Sequence, residues 1–387
     1  MNVQRLIDAM QAIAPLELAA GWDNVGLLLG SPGDPLPAGA RVLLTIDVTA
    51  AVMVEAGGAA GASAAAIIAY HPPIFEPIKR LNGTDPMHRV LLAAARQGTA
   101  IFSPHTALDA APDAMSDWLA DAVMEGGGAA GSATGDRRAL IPHAALRSSE
   151  QVKIVTFVPL AKVEAVRGAL ASSGAGQIGA YSACSFAIPG TGSFLGAPDT
   201  RPAVGQPGRL EEAGEVRLEM VCSLAALALA IEALRQFHPY QEPAIDVYPL
   251  HPQPRRGAGI GRRVVLDRPV TTAALAARVR AWLGVKAVHL AQSGPESKLL
   301  SSIAVCPGAG GSLWETARAQ GCEVFITGEM KHHEVLAAVR SGISVVLAGH
   351  TNTERGYLPR LRERLAKMMP EVVFAVSTAD RDPLVLV

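Results

Sequence analysis

The sequence predicts an α/β fold, in which a core of mixed or parallel sheets and helices is interrupted by an inserted ferredoxin-like (split βαβ) domain. Short apolar runs alternate with helical stretches in both terminal segments, which is typical of a sheet covered by helices. The middle segment instead carries the order β-α-β-β-α-β. The predicted domains are residues 1–149 and 251–387, which form the two halves of the core, and residues 150–250, which form the insert.

The first core segment begins with apolar residues at helical spacing from Val3. Three apolar runs with the length of buried strands follow, and a helical stretch separates the last two. The predicted strands are residues 41–48, 64–70 and 99–102, and the predicted helix is 87–97. The Gly/Ala/Ser-rich run Gly126–Asp136 predicts a surface loop at the end of this segment.

The remaining elements follow from the same patterns. Proline- and glycine-rich tracts lie inside and after the insert, at residues 198–208 and 249–261, where domain boundaries commonly fall. The insert is predicted to contain strands at 152–158, 180–188, 215–221 and 244–248, and helices at 161–171 and 224–237. The second half of the core is predicted to contain strands at 301–305, 324–327, 343–347 and 372–376, with helices between them.

Composition excludes several classes of protein. Of the 387 residues, 49% are hydrophobic and 18% charged, which is enough apolar surface to exclude extensive disorder. The 34 basic and 35 acidic side chains give a net charge of -1, so a dedicated nucleic-acid binder is disfavoured. An aromatic content of 4% also disfavours a stacking platform for single strands.

The sequence indicates a cytoplasmic protein. The four cysteines are far apart and form no C-x-x-C pair, which indicates reduced thiols. Arg5 and Asp8 interrupt the apolar residues near the N-terminus, where a signal peptide would be uncharged. The longest apolar run, Leu224–Ile231, is much shorter than the roughly 20 residues of a membrane span. We therefore expect no membrane association.

Imidazole and carboxylate side chains follow three predicted strands directly. They are His71 after strand 64–70, His105 and Asp109 after strand 99–102, and His350 and Glu354 after strand 343–347. Ligands of open α/β sheets bind outside the carboxyl ends of the strands, so these side chains could meet at one edge. A His/Asp/Glu set without thiolate suits zinc, iron, manganese or cobalt.

Each of these residues also has a simpler interpretation. A histidine after a strand, such as His71, is more often a loop residue with one hydrogen bond. Asp109 alone is more often the N-cap of a helix. His350 and Glu354 share a helix face only if the helix does not begin near Pro359. The joint pattern is more specific than any single member.

Two further segments contain candidate site residues. The glycine-rich run 306–312 precedes a predicted helix and could offer N–H groups to an anion, although an ordinary tight turn is the favoured interpretation. The segment 327–334 adds Glu329, His332 and His333 at another strand end. The alternative for this segment is a solvated helix start, with glutamates at the positive helix end.

Taken together, these motifs resemble the Nif-three-like family, often called GTP cyclohydrolase 1 type 2 homologs. The resemblance covers nearly the whole chain, and the insert is similar to the PII and CutA-like modules of longer bacterial members. The core motifs are GWDNVGL (21–27), YHPPIF (70–75), HTALDAAPDAMSDWLA (105–120), TGEMKHHE (327–334), GHTNTERGYL (349–358) and DRDPL (380–384). The insert motifs are GAGQIGAYSACSF (174–186), GTGSF (190–194) and HPYQEPAIDVYPL (238–250).

The resemblance implies a cleft with a pair of divalent metals and a ring-shaped homohexamer. Position by position, the family's metal ligands fall on His71, Asp109, His350 and Glu354. Tyr70 stands where many members have a further histidine. A phenol binds these metals poorly unless it loses its proton, so we expect one or two metal ions per chain. Tyr70 either weakens one position or supports the ligands from behind.

The resemblance further implies a metal-dependent hydrolase acting on a nucleotide or a phosphoester. A bound metal would activate water, and His105, Glu329, His332 or His333 would move protons. The alternative is a non-enzymatic metal-handling or regulatory scaffold, with the insert as its sensor or partner surface. Nucleic-acid binding through the ring is disfavoured by the net charge of -1.

Overall fold

The computed structural model describes residues 1–58, 63–124 and 135–385. Within it the chain divides into two compact units. The core unit comprises Met1–His143 and Arg255–Val387, and the middle unit comprises Ala144–Pro254. Residues 126–134 of the predicted surface loop lie outside the described residues.

The strands and helices of the described residues alternate in the core unit, as the sequence predicts. The strands are β1 (Gly26–Leu29), β2 (Arg41–Thr45), β3 (Ala66–Ala69), β4 (Ala100–Ser103), β5 (Gly135–Ala145), β6 (Val152–Pro159), β7 (Phe186–Leu195), β8 (Leu210–Cys222), β9 (Ile245–Pro249), β10 (Gln253–Thr271), β11 (His289–Ala291), β12 (Leu299–Ala309), β13 (Val324–Glu329), β14 (Ser344–Leu347) and β15 (Val373–Val376). The helices are α1 (Val3–Ile13), α2 (Ala50–Gly57), α3 (Pro86–Gln97), α4 (His105–Ala110), α5 (Met115–Asp121), α6 (Val163–Ser172), α7 (Leu224–Phe237), α8 (Thr272–Leu283), α9 (Trp314–Ala319), α10 (His332–Arg340), α11 (Asn352–Arg355) and α12 (Leu358–Met368).

The core unit contains two mixed sheets. The first has the order β1-β4-β3-β2-β15, and only β1 pairs antiparallel. The second has the order β11-β14-β13-β12-β10-β5, with β12, β13 and β14 parallel. One hydrophobic core contains residues of both sheets, including Ile68 and Phe102 from the first and Val305 and Ile326 from the second. The predicted mixed α/β core is therefore confirmed.

The middle unit runs β6-α6-β7-β8-α7-β9. Its antiparallel sheet has the order β7-β8-β6-β9. The apolar residues that alternate along β6 and β8, such as Ile154 and Leu218, pack against Val166 of α6 and Leu234 of α7. Each strand thus presents one apolar face to the two helices, which is the usual core of a sheet covered on one side.

Several helices begin where the sequence supplies a capping side chain. The carboxylate of Asp85 accepts hydrogen bonds from the N–H groups of Met87 and His88, and Pro86 occupies the first turn of α3. The Thr49, Ser223 and Thr271 hydroxyls cap α2, α7 and α8 in the same way. Such caps satisfy N–H groups that a helix leaves unpaired at its start.

A buried ion pair connects the two chain segments of the core unit. Arg262 of β10 is fully buried, and its guanidinium donates to both carboxylate oxygens of Asp117 in α5, at 2.9 and 2.8 Å. It also donates to the carbonyls of Gly259, Gly261 and Ala111. A buried charge is tolerated where its hydrogen-bonding capacity is used in this way.

Some predicted elements differ from the structure. The strand predicted at 180–188 is instead β7, Phe186–Leu195, which lies at a sheet edge where Pro189 does not interrupt pairing. The proline- and glycine-rich tract after the insert does not form a linker, because β10 runs through it from Gln253. In the described part of the chain, no helix combines the length and the apolar character needed to span a membrane.

Candidate metal centre

The candidate site lies at the carboxyl ends of parallel strands from both sheets of the core unit. Tyr70 and His71 follow β3 of the first sheet directly, and their backbone N–H groups bond to the end of β2. His350 follows β14 of the second sheet, and Glu354 lies in the short helix α11. The sequence rule that ligands collect at strand ends therefore holds for residues from distant parts of the chain.

His71, His350 and Glu354 form one cluster, and their potential ligand atoms all lie within 4.8 Å of one another. The Nε2 atom of His71 is 3.6 Å from Oε2 of Glu354, and Nε2 of His350 is 3.3 Å from Oε1. The Glu354 carboxylate is buried, whereas both imidazoles are partly exposed. One face of the cluster is therefore accessible from solvent.

A carboxylate orients each imidazole from behind. Nδ1 of His71 is 2.9 Å from Oδ1 of Asp47, and Nδ1 of His350 is 3.0 Å from Oε1 of Glu329. In both residues Nε2 is left to face Glu354. This arrangement is typical of metal-ligating histidines, whose second nitrogen is usually held by a carboxylate or carbonyl.

The cluster has the properties that a divalent metal ion requires. Oε2 of Glu354 is buried and has no hydrogen-bond partner, which is costly for a carboxylate oxygen unless a cation neutralises it. Two imidazole nitrogens and one carboxylate form a donor set found with zinc and with non-haem iron. The residues present therefore fit a metal ion.

A glycine makes room for the cluster. Gly308 has a φ of +63°, and a Cβ atom there would lie 2.6 Å from Oε1 of Glu354 and 3.2 Å from Nε2 of His350. Only glycine allows this backbone conformation and this close approach together. The run 306–312 is therefore not a simple turn, because β12 continues to Ala309 and passes beneath the site.

Tyr70 and Asp109 form a hydrogen-bonded pair beside the cluster. The Tyr70 hydroxyl donates to Oδ1 of Asp109 at 2.6 Å. Burial, together with the Asp109 and Glu354 carboxylates, raises the pKa of the Tyr70 phenol well above its usual range. Burial also raises the pKa of Asp109 to about 7. The structure thus holds Tyr70 as a neutral donor, and neither residue belongs to the three-residue cluster found in the described chain.

Two of the simpler interpretations are wrong. Asp109 is not an N-cap, because it lies inside α4, whose N-cap is Pro104. His71 is not a loop residue with a single hydrogen bond, because both of its ring nitrogens face carboxylates. His350 and Glu354 do meet, although α11 begins only at Asn352 and does not contain His350.

His105 lies next to the cluster and has an unusual backbone. Its φ is +26°, a region that residues other than glycine rarely adopt. Nδ1 of His105 is 2.7 Å from Oδ1 of the buried Asp23 carboxylate, which also accepts from the Thr106 N–H. The His105 ring lies 5.5 Å from the rings of both Tyr70 and His71. Asp23 thus holds His105 at the edge of the site.

The other predicted catalytic residues differ in position. Glu329 ends β13 and contacts His350, as described above. His332 and His333 begin α10, are exposed, and do not belong to the cluster. The structure therefore places His105 and Glu329, but neither His332 nor His333, against the candidate ligands.

The charges around His71 favour its protonated form in the metal-free protein. Burial alone would lower the pKa of this imidazole, but the hydrogen bonds and charges of Asp47 and Glu354 raise it to about 10. Burial would raise the pKa of Asp47, yet His71 keeps it below its usual value. A proton between two carboxylates is the position that a cation could take.

Sequence reasoning missed three residues at the site. Asp47 follows β2 just as His71 follows β3, so the strand-end rule could have identified it. Asp23 lies in the GWDNVGL motif but has no spacing that indicates its contact with His105. Cys306 is buried near the cluster, and burial together with Asp109 and Glu354 raises the pKa of its thiol.

Comparison with known proteins gives consistent matches over the whole chain. A model of the Duf34/NIF3 (NGG1p interacting factor 3) family matches residues 1–383. The "GTP cyclohydrolase 1 type 2 homolog" of Mycobacterium tuberculosis is 35% identical over 378 residues, covering 96% of this chain and 94% of the relative. The "NIF3-like protein 1" of Rattus norvegicus is 32% identical over 397 residues, covering 99% and 92%.

Solved structures agree with these matches. A Bacillus cereus protein related to NIF3 is 29% identical, with a TM-score of 0.65 over 100% of this chain and 99% of that one. The Staphylococcus aureus protein SA1388 has a TM-score of 0.75 with the same coverage. At 22% identity, SA1388 shows the fold alone.

Proposed function

The chain belongs to the Duf34/NIF3 family, and from this membership and the His71–His350–Glu354 cluster we propose that it is a metal-dependent hydrolase acting on a nucleotide or a phosphoester. The observation that supports an enzyme is the number of donors. Three protein ligands leave coordination positions free, as in catalytic sites, whereas structural zinc sites are closed by four. The partly exposed imidazoles give a substrate access to those positions.

The surrounding residues have distinct proposed roles. A divalent metal ion bound here would supply a Lewis acid and lower the pKa of water. Asp47 and Glu329 orient the two ligating imidazoles, and His105, oriented by Asp23, is placed to move a proton at the edge of the site. His332 and His333 are weaker candidates because they lie outside the cluster.

The number of metal ions depends on Asp109 and Tyr70. We propose one or two ions per chain, of zinc, iron, manganese or cobalt. Asp109 is the fourth proposed ligand, and the hydrogen bond from Tyr70 occupies one of its oxygens. We therefore propose that the first position is formed by the cluster and that a second position, at Asp109 and Tyr70, is weaker.

A non-enzymatic metal-handling or regulatory scaffold is the second candidate. The Tyr70–Asp109 hydrogen bond favours it, because it withdraws two groups from the second position that a two-metal hydrolase would use. In this case the protein binds metal without turnover, and the middle unit is its sensor or partner surface.

Turnover separates the two candidates. Metal-supplemented protein is assayed with GTP and with p-nitrophenyl phosphate as a simple phosphoester. The hydrolase is expected to turn over at least one of them and to lose this activity in His71→Ala. His251→Ala, which removes an exposed imidazole of the middle unit, should retain it. Metal binding without turnover in the wild type would favour the scaffold.

Assembly and domain identity are further parts of the proposal. We propose a homohexamer, on the family resemblance alone, and light scattering showing a monomer at micromolar concentration would contradict it. We also propose that the middle unit is a ferredoxin-like insert of the PII or CutA-like kind, which its element order and sheet order support. The free, dispersed cysteines support a cytoplasmic location.

A further inference from the structure

Two aromatic rings are exposed beside the candidate metal centre. The side chain of Trp22 is 66% exposed and that of Phe75 is 49% exposed, and their ring centroids are 6.1 Å apart. Single exposed apolar side chains are ordinary. These two come from separate loops and present their rings together, so they form a small aromatic surface, which we call the Trp22–Phe75 platform.

A row of ring contacts connects this platform to the cluster. The Trp22 ring meets the His105 ring edge-on at 6.1 Å, and His105 meets His71 at 5.5 Å. His71 in turn meets His350 at 5.4 Å. The platform is therefore the solvent-facing end of a continuous row of rings whose other end is the candidate metal ligands.

The loops that carry the platform are held in place. The side-chain amide of Asn24 donates to the carbonyl of Ile74 at 2.6 Å, which ties the residues adjacent to Trp22 and Phe75 together. On the other side, the Ala20 N–H donates to the Thr106 hydroxyl at 3.0 Å. Exposed rings on a fixed backbone lose little freedom on binding, which favours recognition of a rigid ligand.

We infer that the Trp22–Phe75 platform binds the planar heteroaromatic ring of a small-molecule substrate, with the reacting part of that molecule against His71, His350 and Glu354. This inference rests on the proposed function and specifies its substrate class. Aromatic side chains recognise flat rings by stacking, because every such ring has a π-face. The His105 contact then sets the direction from the ring towards the cluster.

The size of the platform favours a small molecule over a protein. An aromatic side chain can bury about 150–250 Å² at most, so two rings fall well below the roughly 800 Å² that each partner buries in a stable protein interface. A nucleotide base or a similar ring matches this area. A second copy of the chain remains an alternative occupant that the experiment must exclude.

The test compares a ring-containing probe with its ringless counterpart. Calorimetry on metal-supplemented full-length protein measures the affinity for guanosine 5′-monophosphate and for ribose 5-phosphate. Trp22→Ala is expected to weaken guanosine monophosphate binding about tenfold or more, and to leave ribose phosphate binding unchanged. Trp22→Phe should restore most of the affinity. Phe237→Ala, which removes an exposed ring of the middle unit, should have no effect.

Three results would overturn the inference. They are equal guanosine monophosphate affinity in the wild type and Trp22→Ala, no measurable binding of this probe to the wild type, and a change in oligomeric mass in Trp22→Ala. Metal content is measured on the same samples. A full metal content without ring preference overturns the platform alone, whereas ring-selective binding without metal overturns the proposed function alone.

Discussion

Tyr70 donates a 2.6 Å hydrogen bond to Asp109, and this contact decides how many metal ligands the site offers. The family resemblance alone implies a histidine-like position at residue 70 and a free carboxylate at 109. The structure instead pairs a neutral phenol with the carboxyl group in a buried position. One of the two metal positions is therefore expected to be weaker than the other.

Replacing Tyr70 by histidine tests this expectation. Tyr70→His exchanges a poor oxygen donor for an imidazole nitrogen, so we expect higher metal stoichiometry or affinity. Tyr70→Phe removes the hydroxyl without adding a donor, and should bind no more metal than the wild type. Elemental analysis and metal titration measure both. Two ions per chain with unchanged affinity in the wild type and Tyr70→His would show that Tyr70 weakens nothing.

Metal binding should release a proton from His71. The raised pKa, about 10, means that this imidazole is protonated at pH 8 in the metal-free protein, whereas a ligand must be neutral. The stability that this proton gives the metal-free fold is complete below pH 6.5 and is lost as the pH rises through about 10. Metal affinity should therefore rise over this interval, by about tenfold per pH unit for each proton displaced. Calorimetry in two buffers of different ionisation enthalpy measures the release, and identical heats in both would contradict it.

The buried pair of Arg262 and Asp117 should dominate the stability of the core unit. Arg262→Met leaves the Asp117 carboxylate buried with less compensation, which is expected to cost about 3–5 kcal/mol. Arg5→Ala removes an exposed pair and should cause no measurable change. Denaturant unfolding followed by tryptophan fluorescence reports both, since Trp118 lies next to Asp117. Equal unfolding midpoints for the two variants would contradict the assignment.

The metal site should not need the middle unit. Every residue of the cluster, and each carboxylate that orients it, lies in the core unit. Replacing Ala144–Pro254 by a short glycine-serine linker is therefore expected to give a soluble protein that binds metal. Insoluble or metal-free product across several linker lengths would show that the core depends on the unit. Wild-type metal content measured in parallel is the control.

Much of the fold could be predicted because it depends on local patterns. The buried strands β2, β3 and β4 are short apolar runs, and the predicted residues 41–48, 64–70 and 99–102 contain nearly all of them. The start of β10, in contrast, carries Pro254 and two arginines, so local sequence indicates a loop there. Pairing with neighbouring strands decided its conformation, and pairing is not visible in a single sequence.

The site was predictable to a similar extent. The strand-end rule identified His71, His350 and Glu354 because it depends only on where each strand ends. The rule gives positions along the chain but not the direction of side chains. It could not show that Asp109 turns to Tyr70, or that Gly308 makes room for Glu354. Those contacts depend on distances of a few tenths of an ångström.

Metal content per chain tests the central claim most directly. Purified protein, its His71→Ala and His350→Ala variants, and the near-isosteric Glu354→Gln are compared by elemental analysis, with circular dichroism to verify folding. His333→Ala, an exposed histidine outside the cluster, is the matched control. We predict at least one divalent ion per chain in the wild type and the control, and loss of that ion in the three folded cluster variants. Full metal retention in all three would contradict the assignment of His71, His350 and Glu354 as metal ligands.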